Sequence, residues 1–227
     1  MHAYLIGGGK SGIRTSVIIV LFVISIIAST LINLGIKKLT DVFPTVFNGI
    51  NSFLVKWSFF DFSVENISAF VIFGLLMLWF DKKVWKMPIV NKILNIPDFS
   101  GIWKGTLKSS YDNQKVNVIM NINQTWTNIS ILTSFSDFET NEKTSESGSD
   151  AAFIDPESCH GKLLKFTYVN TAKVVEWAQS EHRGQNELIL KEYDASHKKY
   201  MVLEGIYFNN RGKTGNKGTI NMRRILD

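Results

Sequence analysis

The chain has 227 residues, 45% of them hydrophobic, with a formal net charge of +5 and a mean hydropathy of +0.04. The hydropathy is that of a soluble protein, but the charge is unevenly spread. Residues 1–97 hold nine Lys/Arg against four Asp/Glu, the entire excess, while residues 98–227 balance at sixteen of each. This excludes a uniform soluble domain, and with it the basic domain that binding of long nucleic acid requires.

Between Arg14 and Lys37, 22 residues run without a charge. At ~1.5 Å per residue a helix of that length covers roughly 33 Å, enough to cross a bilayer core of about 30 Å. The run Val17 to Ile24 is too apolar for one face of a soluble helix, and the segment outruns the apolar core of a cleaved signal. A first membrane span is expected over about 15–36. In the following segment Phe43, Val46, Phe47, Ile50 and Leu54 recur at helical spacing, which suits an amphipathic helix on the outer membrane surface or an oligomer contact. A second apolar stretch, with Trp57 and Trp79 near its ends and Asp81-Lys82-Lys83 as its stop, predicts a second span over about 64–80. Lys10 and Arg14 precede the first span and Lys82, Lys83, Lys86 and Lys92 follow the second, against Lys37, Lys38 and Lys56 between them. That balance places both termini in the cytoplasm.

Pro88 and Pro97 bracket a short linker, after which the pattern changes. Val116, Val118, Met120 and Ile122 alternate with polar residues, and similar runs occur at 188–190, 201–208 and 220–225 between Gly/Asn/Asp clusters. The spacing of strands and turns predicts about eight antiparallel strands over 98–227. An up-and-down β-barrel accommodates them without exposed edges; a sandwich is the alternative. The expected organisation is a two-helix membrane hairpin with linker (1–97) and an all-β domain (98–227).

Catalytic patterns are poor. The single cysteine, Cys159, excludes an internal disulfide, which suits a cytoplasmic domain. Adjacent residues on a strand would point to opposite faces, so no dyad with its neighbour His160 is expected. His2, His160, His182 and His197 lack metal-ligand spacing. Gly212-Lys213-Thr214 is like the end of a phosphate loop, but Tyr207 stands where the first glycine is required. No enzyme, cofactor or metal is expected. What remains is a basic, glycine-rich cluster from Asn209 to Gly218, followed by Arg223-Arg224. Exposed backbone N–H groups with Arg donors suit a small phosphorylated ligand. Trp103, Trp126, Tyr168, Trp177, Tyr207 and Phe208 are available to stack bases. The plainer alternative is a solvated hairpin above an aromatic core.

The two apolar spans, the run Pro97-Asp98-Phe99-Ser100-Gly101-Ile102-Trp103-Lys104-Gly105, and a closing hairpin from Leu203 to Gly215 with Gly218-Thr219-Ile220 and Arg223 together carry a family likeness. The chain resembles the membrane effectors of bacterial cyclic-oligonucleotide anti-phage signalling (CBASS), which join two transmembrane helices to a β-strand-rich sensor domain. The resemblance implies an eight-stranded, lipocalin-like β-barrel that binds a cyclic dinucleotide made by a partner nucleotidyltransferase. It also implies ligand-driven homo-oligomerisation, disruption of the lipids of the inner membrane, and death of the infected cell. For such a ligand, Arg211, Thr214 and Arg224 are assigned to phosphate and Trp126 and Tyr207 to base stacking. Two rivals stand beside this reading: a membrane-anchored barrel carrying lipid or another hydrophobic ligand, and a membrane scaffold for a protein partner.

Overall fold

The computed structural model describes residues 1–7, 11–57, 68–110, 114–172, 182–195, 198–210 and 215–225. They belong to two compact units, Gly12–Val84 and a second built from Met1–Ser11 together with Trp85–Asp227. Composition draws the boundary at residue 97; contacts instead join the linker and the first eleven residues to the β-rich unit.

The helical unit holds α1 (Ser11–Val42), α2 (Pro44–Trp57) and α3 (Ala69–Lys82). α1 runs for 32 residues, continuing through Lys37-Lys38. Its hydroxyls are satisfied within the helix: Ser16, Thr30 and Thr40 donate to carbonyls four residues back, and Ser25 donates to Phe22 O. A helix in lipid needs this, because no water is available to take those bonds. Ile19, Val20 and Leu31 are each more than half exposed, and only 11% of the most apolar window of α1 is buried. A core helix of a soluble protein would bury that surface. α1 is therefore long and apolar enough to cross a membrane. Phe22 meets Phe70 and Phe73 of α3 at 5.9 and 5.6 Å between ring centroids. α3, capped by the Ser68 side chain, has 14 residues and is shorter than a span. Residues 64–67 of the expected second span lie outside the described residues, among which α1 is the one helix of crossing length. The segment expected to be an amphipathic helix forms α2.

In the other unit, a 3-10 turn (Val84–Lys86) and α4 (Pro88–Leu94) lead into the sheet. Its strands are β1 (His2–Ile6), β2 (Gly101–Ser109), β3 (Lys115–Gln124), β4 (Asn128–Asp137), β5 (Lys143–Ser158), β6 (Gly161–Ala172), β7 (His182–Ala195), β8 (Lys198–Asn209) and β9 (Asn216–Arg224). From β2 to β9 each strand pairs antiparallel with the next, and β9 returns to β2, so the order closes. Val118, Met120, Ile122 and Gln124 of β3 alternate inward, as the period of two predicts.

Among the described residues the sheet has nine strands: the stretch 98–227, where eight were expected, supplies β2 to β9. The ninth, β1, comes from ahead of α1. It has five residues and stands apart from the other strands, with four residues, Gly7 to Lys10, and then α1 after it, so the sequence reading passes over its short apolar run as a strand. β4 and β5 pair only from Leu132↔Gly148 to Ser136↔Lys143. Beyond that they fork around a bulge at Ser149, whose Oγ accepts from Ile131 N–H at 3.0 Å. β1 fills the fork, antiparallel to β4 (His2↔Ile129, Ala3↔Asn128) and parallel to β5 (Tyr4↔Ala152, Leu5↔Phe153, Ile6↔Ile154). The Tyr4 ring is buried, and its hydroxyl donates to the carbonyls of Thr125 and Trp126 at 3.2 and 3.0 Å.

Candidate ligand-binding site

Strand register separates two ends of the sheet unit. Ser109↔Gly218 lies near one end, and Trp103↔Arg224, six residues back along β2, lies toward the other. At ~3.3 Å per residue these rows are roughly 20 Å apart.

A cavity of about 620 Å³, counted with the part open to solvent, occupies the first end. Two rings form part of its wall, Tyr168 of β6 and Tyr207 of β8. Facing glycines make room for them: a Cβ on Gly184 would lie 2.5 Å from the Tyr168 hydroxyl, and one on Gly218 would lie 2.5 Å from Tyr207 Cε1. His182 stands edge-on to Tyr168, with centroids 6.5 Å apart. Burial pushes the Tyr168 phenol up to about 12, against a hydrogen bond from Asn209 that lowers it and the neighbouring Tyr207 that raises it. At neutral pH Tyr168 is therefore an uncharged hydroxyl. Amides and hydroxyls add polar lining, with Gln114, Asn170, Asn209 and Asn216 beside Ser109, Thr144 and Ser145, and Leu107, Val116 and Phe135 supply apolar lining. Among the described lining residues there is no Lys, Arg, Asp or Glu.

Next to the wall, Asn186 of β7 sits between Phe166 and Tyr207 in register. It is buried, and its Oδ1 has no hydrogen-bond partner. A buried amide oxygen without a partner is costly to keep, which makes Asn186 unlike the satisfied amide of Gln124. The chemistry assembled here is aromatic stacking plus amide edges, which reads bases.

Of the five residues expected to bind ligand, the three that are described, Trp126, Tyr207 and Arg224, are not brought together. Tyr207 lines the cavity. Arg211 and Thr214 lie outside the described residues; the positions flanking them, Asn209 and Asn216, line it. Arg224 and Trp126 sit at the opposite end, a correction to their assignment alongside Tyr207. The Arg224 guanidinium lies over Trp103 at 5.8 Å, with Nη1 3.4 Å from Met201 Sδ and Nη2 4.0 Å from an Asp98 oxygen. Trp126 is fully buried in the turn between β3 and β4. Antiparallel geometry explains the miss: Arg224 is close to the glycine-rich cluster in sequence but six residues down the strand from Gly218.

The distal end is sealed. Phe99 N–H donates to Gln124 Oε1 at 2.8 Å, Gln124 Nε2 donates to Pro97 O at 3.1 Å, and Trp103 Nε1–H donates to Phe99 O at 2.9 Å. Lys86 Nζ reaches Asp98 at 3.2 Å and the Ser100 hydroxyl at 2.5 Å. Asn170 and Asn186 escaped the sequence reading, and Asn209 entered it only as the start of the glycine-rich cluster. Their signal was parity: each occupies an inward position on a strand whose other inward residues are apolar. Among the described residues no group of His, Cys, Asp and Glu could hold a metal ion.

The family model described as the Cap15 cyclic dinucleotide receptor domain matches residues 94–224, which take in β2 to β9 and leave out β1 and the helical unit. A relative, CD-NTase-associated protein 15 of Yersinia aleksiciae, is 32% identical over 161 residues, 70% of this chain and 70% of its own. No solved structure matches the chain. With more than half its length, including every strand that lines the cavity, matched by that receptor domain, the chain belongs to the Cap15 family.

Proposed function

We propose that the chain is a CBASS membrane effector whose sheet unit binds a cyclic dinucleotide in the cavity beside Tyr168 and Tyr207. The observation that carries this is the coincidence of the receptor-domain match with an uncharged, aromatic and amide-lined cavity. In this reading the two rings stack bases, and Asn186 and Asn209 take base edges. Arg211 and Thr214, which follow Asn209 in sequence, bind phosphate. The eight strands β2–β9 act as a lipocalin-like receptor, and the ligand is sensed rather than consumed, so no catalytic step is needed. A partner nucleotidyltransferase supplies the ligand.

The proposed output is loss of inner-membrane integrity. α1 and the second apolar segment, about 64–80, cross the membrane with both termini cytoplasmic, and the segment forming α2 lies on the outer surface. Binding gathers copies, and crowding of these apolar segments disrupts the bilayer. The support is the exposed apolar surface of α1 and the concentration of positive charge in residues 1–97.

Full-length protein in lipid nanodiscs, titrated by calorimetry with cyclic di- and trinucleotides, tests the sensor. Binding of one of them, weakened at least about tenfold by Tyr207→Ala and by Arg211→Ala, is expected. Dye release from vesicles on addition of that nucleotide tests the output. Protein that binds none of the panel but extracts with lipid inside the sheet unit overturns the proposal in favour of a lipid carrier.

A further inference from the structure

β1 completes the receptor sheet yet lies outside the receptor-domain match, on the far side of α1 in sequence. Its seat is the fork between β4 and β5, where it makes a two-residue ladder on one strand and a three-residue ladder on the other, extended by Gly7 N–H to Ile154 O at 2.8 Å. Its hold is small. Tyr4 is its one buried side chain, while Leu5 is 72% exposed. His2 adds a contact from Nε2 to Ser149 Oγ at 2.8 Å, at the apex of the fork. The sequence that follows is Gly7-Gly8-Gly9-Lys10, and then α1 begins.

An empty fork is costly, because it leaves backbone N–H and C=O groups unpaired along two facing strands. β1 can therefore leave at low cost only where another strand of the same kind takes its place. Exchange between identical copies meets that condition, since every pairing and the Tyr4 seat are reproduced by the neighbour's strand. Between β1 and α1 the chain offers four residues, Gly7 to Lys10, a tether of at most about 14 Å. We propose that β1 is a donor strand: in the assembled state β1 of one copy seats in the β4–β5 fork of a second copy, so that gathering the α1 helices also ties the sheet units together. This rests on the assembly reading above and adds its interface; it does not depend on which nucleotide is bound.

The test uses the full-length chain with Cys159→Ser, which removes the single cysteine. Leu5→Cys and Phe153→Cys, partners in the parallel register, are placed on separately tagged chains. These are mixed in phosphatidylethanolamine–phosphatidylglycerol vesicles at rising protein-to-lipid ratio, with and without cyclic dinucleotides, and oxidised. Exchange predicts a disulfide between the two tags that grows at least several-fold as the copies crowd. A chain carrying both substitutions, oxidised when dilute, checks the seat itself and locks β1 in place. The locked chain is expected to bind ligand as before and to lose its largest species in sizing experiments. Absence of any interchain disulfide at every ratio overturns the proposal, as does unchanged assembly of the locked chain. Interchain disulfide without any cyclic dinucleotide binding by calorimetry overturns the sensor reading alone and leaves the exchange standing.

Discussion

The two ends of the sheet unit are made from the same strands and have opposite chemistry. Along β6 the inward residues run Leu164, Phe166, Tyr168, Asn170, and along β7 they run Leu190, Leu188, Asn186 and then Gly184, which faces Tyr168. Within four inward positions β6 passes from aliphatic core through Tyr168 to the lining amide of Asn170, and β7 passes from leucines through Asn186 to a glycine that leaves room for the Tyr168 ring. At the far end Trp103, Trp126 and Phe99 are fully buried, and Gln124 is bonded on both its amide atoms. Packing that fills space is what stabilises one end, and space held open at the other is what the proposed binding would use. A core thus becomes a receptor by changing residue type at constant parity, with no change of fold.

Substitutions at the sealed end should therefore reduce stability and spare affinity, with the reverse at the cavity. The largest effect is expected from Trp103→Ala, about 3–5 kcal/mol lost in urea unfolding, since the ring is completely buried. An unchanged midpoint would show that this end is not the mechanical base of the sheet. Gln124→Leu deprives Phe99 N–H and Pro97 O of their partner and should cost about 2–3 kcal/mol, with ligand affinity intact by calorimetry. Tyr168 supplies a pH-dependent contribution. Its phenol ionises at about 12 when folded, against the ordinary tyrosine value of 10.0, so between those values the native chain holds the extra proton. Stability from this group is complete below pH 10 and falls by roughly 2 kcal/mol as pH rises toward 12. Tyr168→Phe should flatten that part of the unfolding profile.

Smaller changes sharpen the cavity side. Asn186→Ala removes an amide that is already short of a partner, so stability should move by less than about 1 kcal/mol while cyclic dinucleotide affinity drops about tenfold, ~1.4 kcal/mol. Equal losses in both measurements would make Asn186 part of the core instead. Least of all should follow from Asp98→Asn, whose contacts with Lys86 and Arg224 are partly exposed; under about 1 kcal/mol is expected in thermal unfolding.

Much of the architecture was readable from pattern. The uncharged stretch before Lys37 became α1, the helical spacing from Phe43 to Leu54 became α2, and the alternation Val118, Met120, Ile122 became an inward strand face. These signals are local, a period or a run of one residue class. The cavity was only partly readable. Tyr207 could be picked out because it abuts the glycine-rich cluster, whereas Asn186 is met only when Phe166, Tyr207 and it share a row across three strands. Arg224 was misplaced for the same reason, since sequence proximity to a turn says nothing about distance along the returning strand. β1 was invisible because its partners are Ile129 and Ala152, on the other side of every helix.

That separation has a consequence for how the chain is made. Leu5 pairs with Phe153, so β1 waits for about 150 residues before the strand it lies on exists. At ribosomal rates of roughly 5–20 residues per second that is about 8–30 s. Throughout this interval α1 has already been synthesised, while β1, ahead of it, stays unpaired. Long-range closure of this kind is slow to begin with. The nine-stranded sheet therefore cannot be closed before α1 has been synthesised, so its completion always follows that of the helix long enough to cross a membrane.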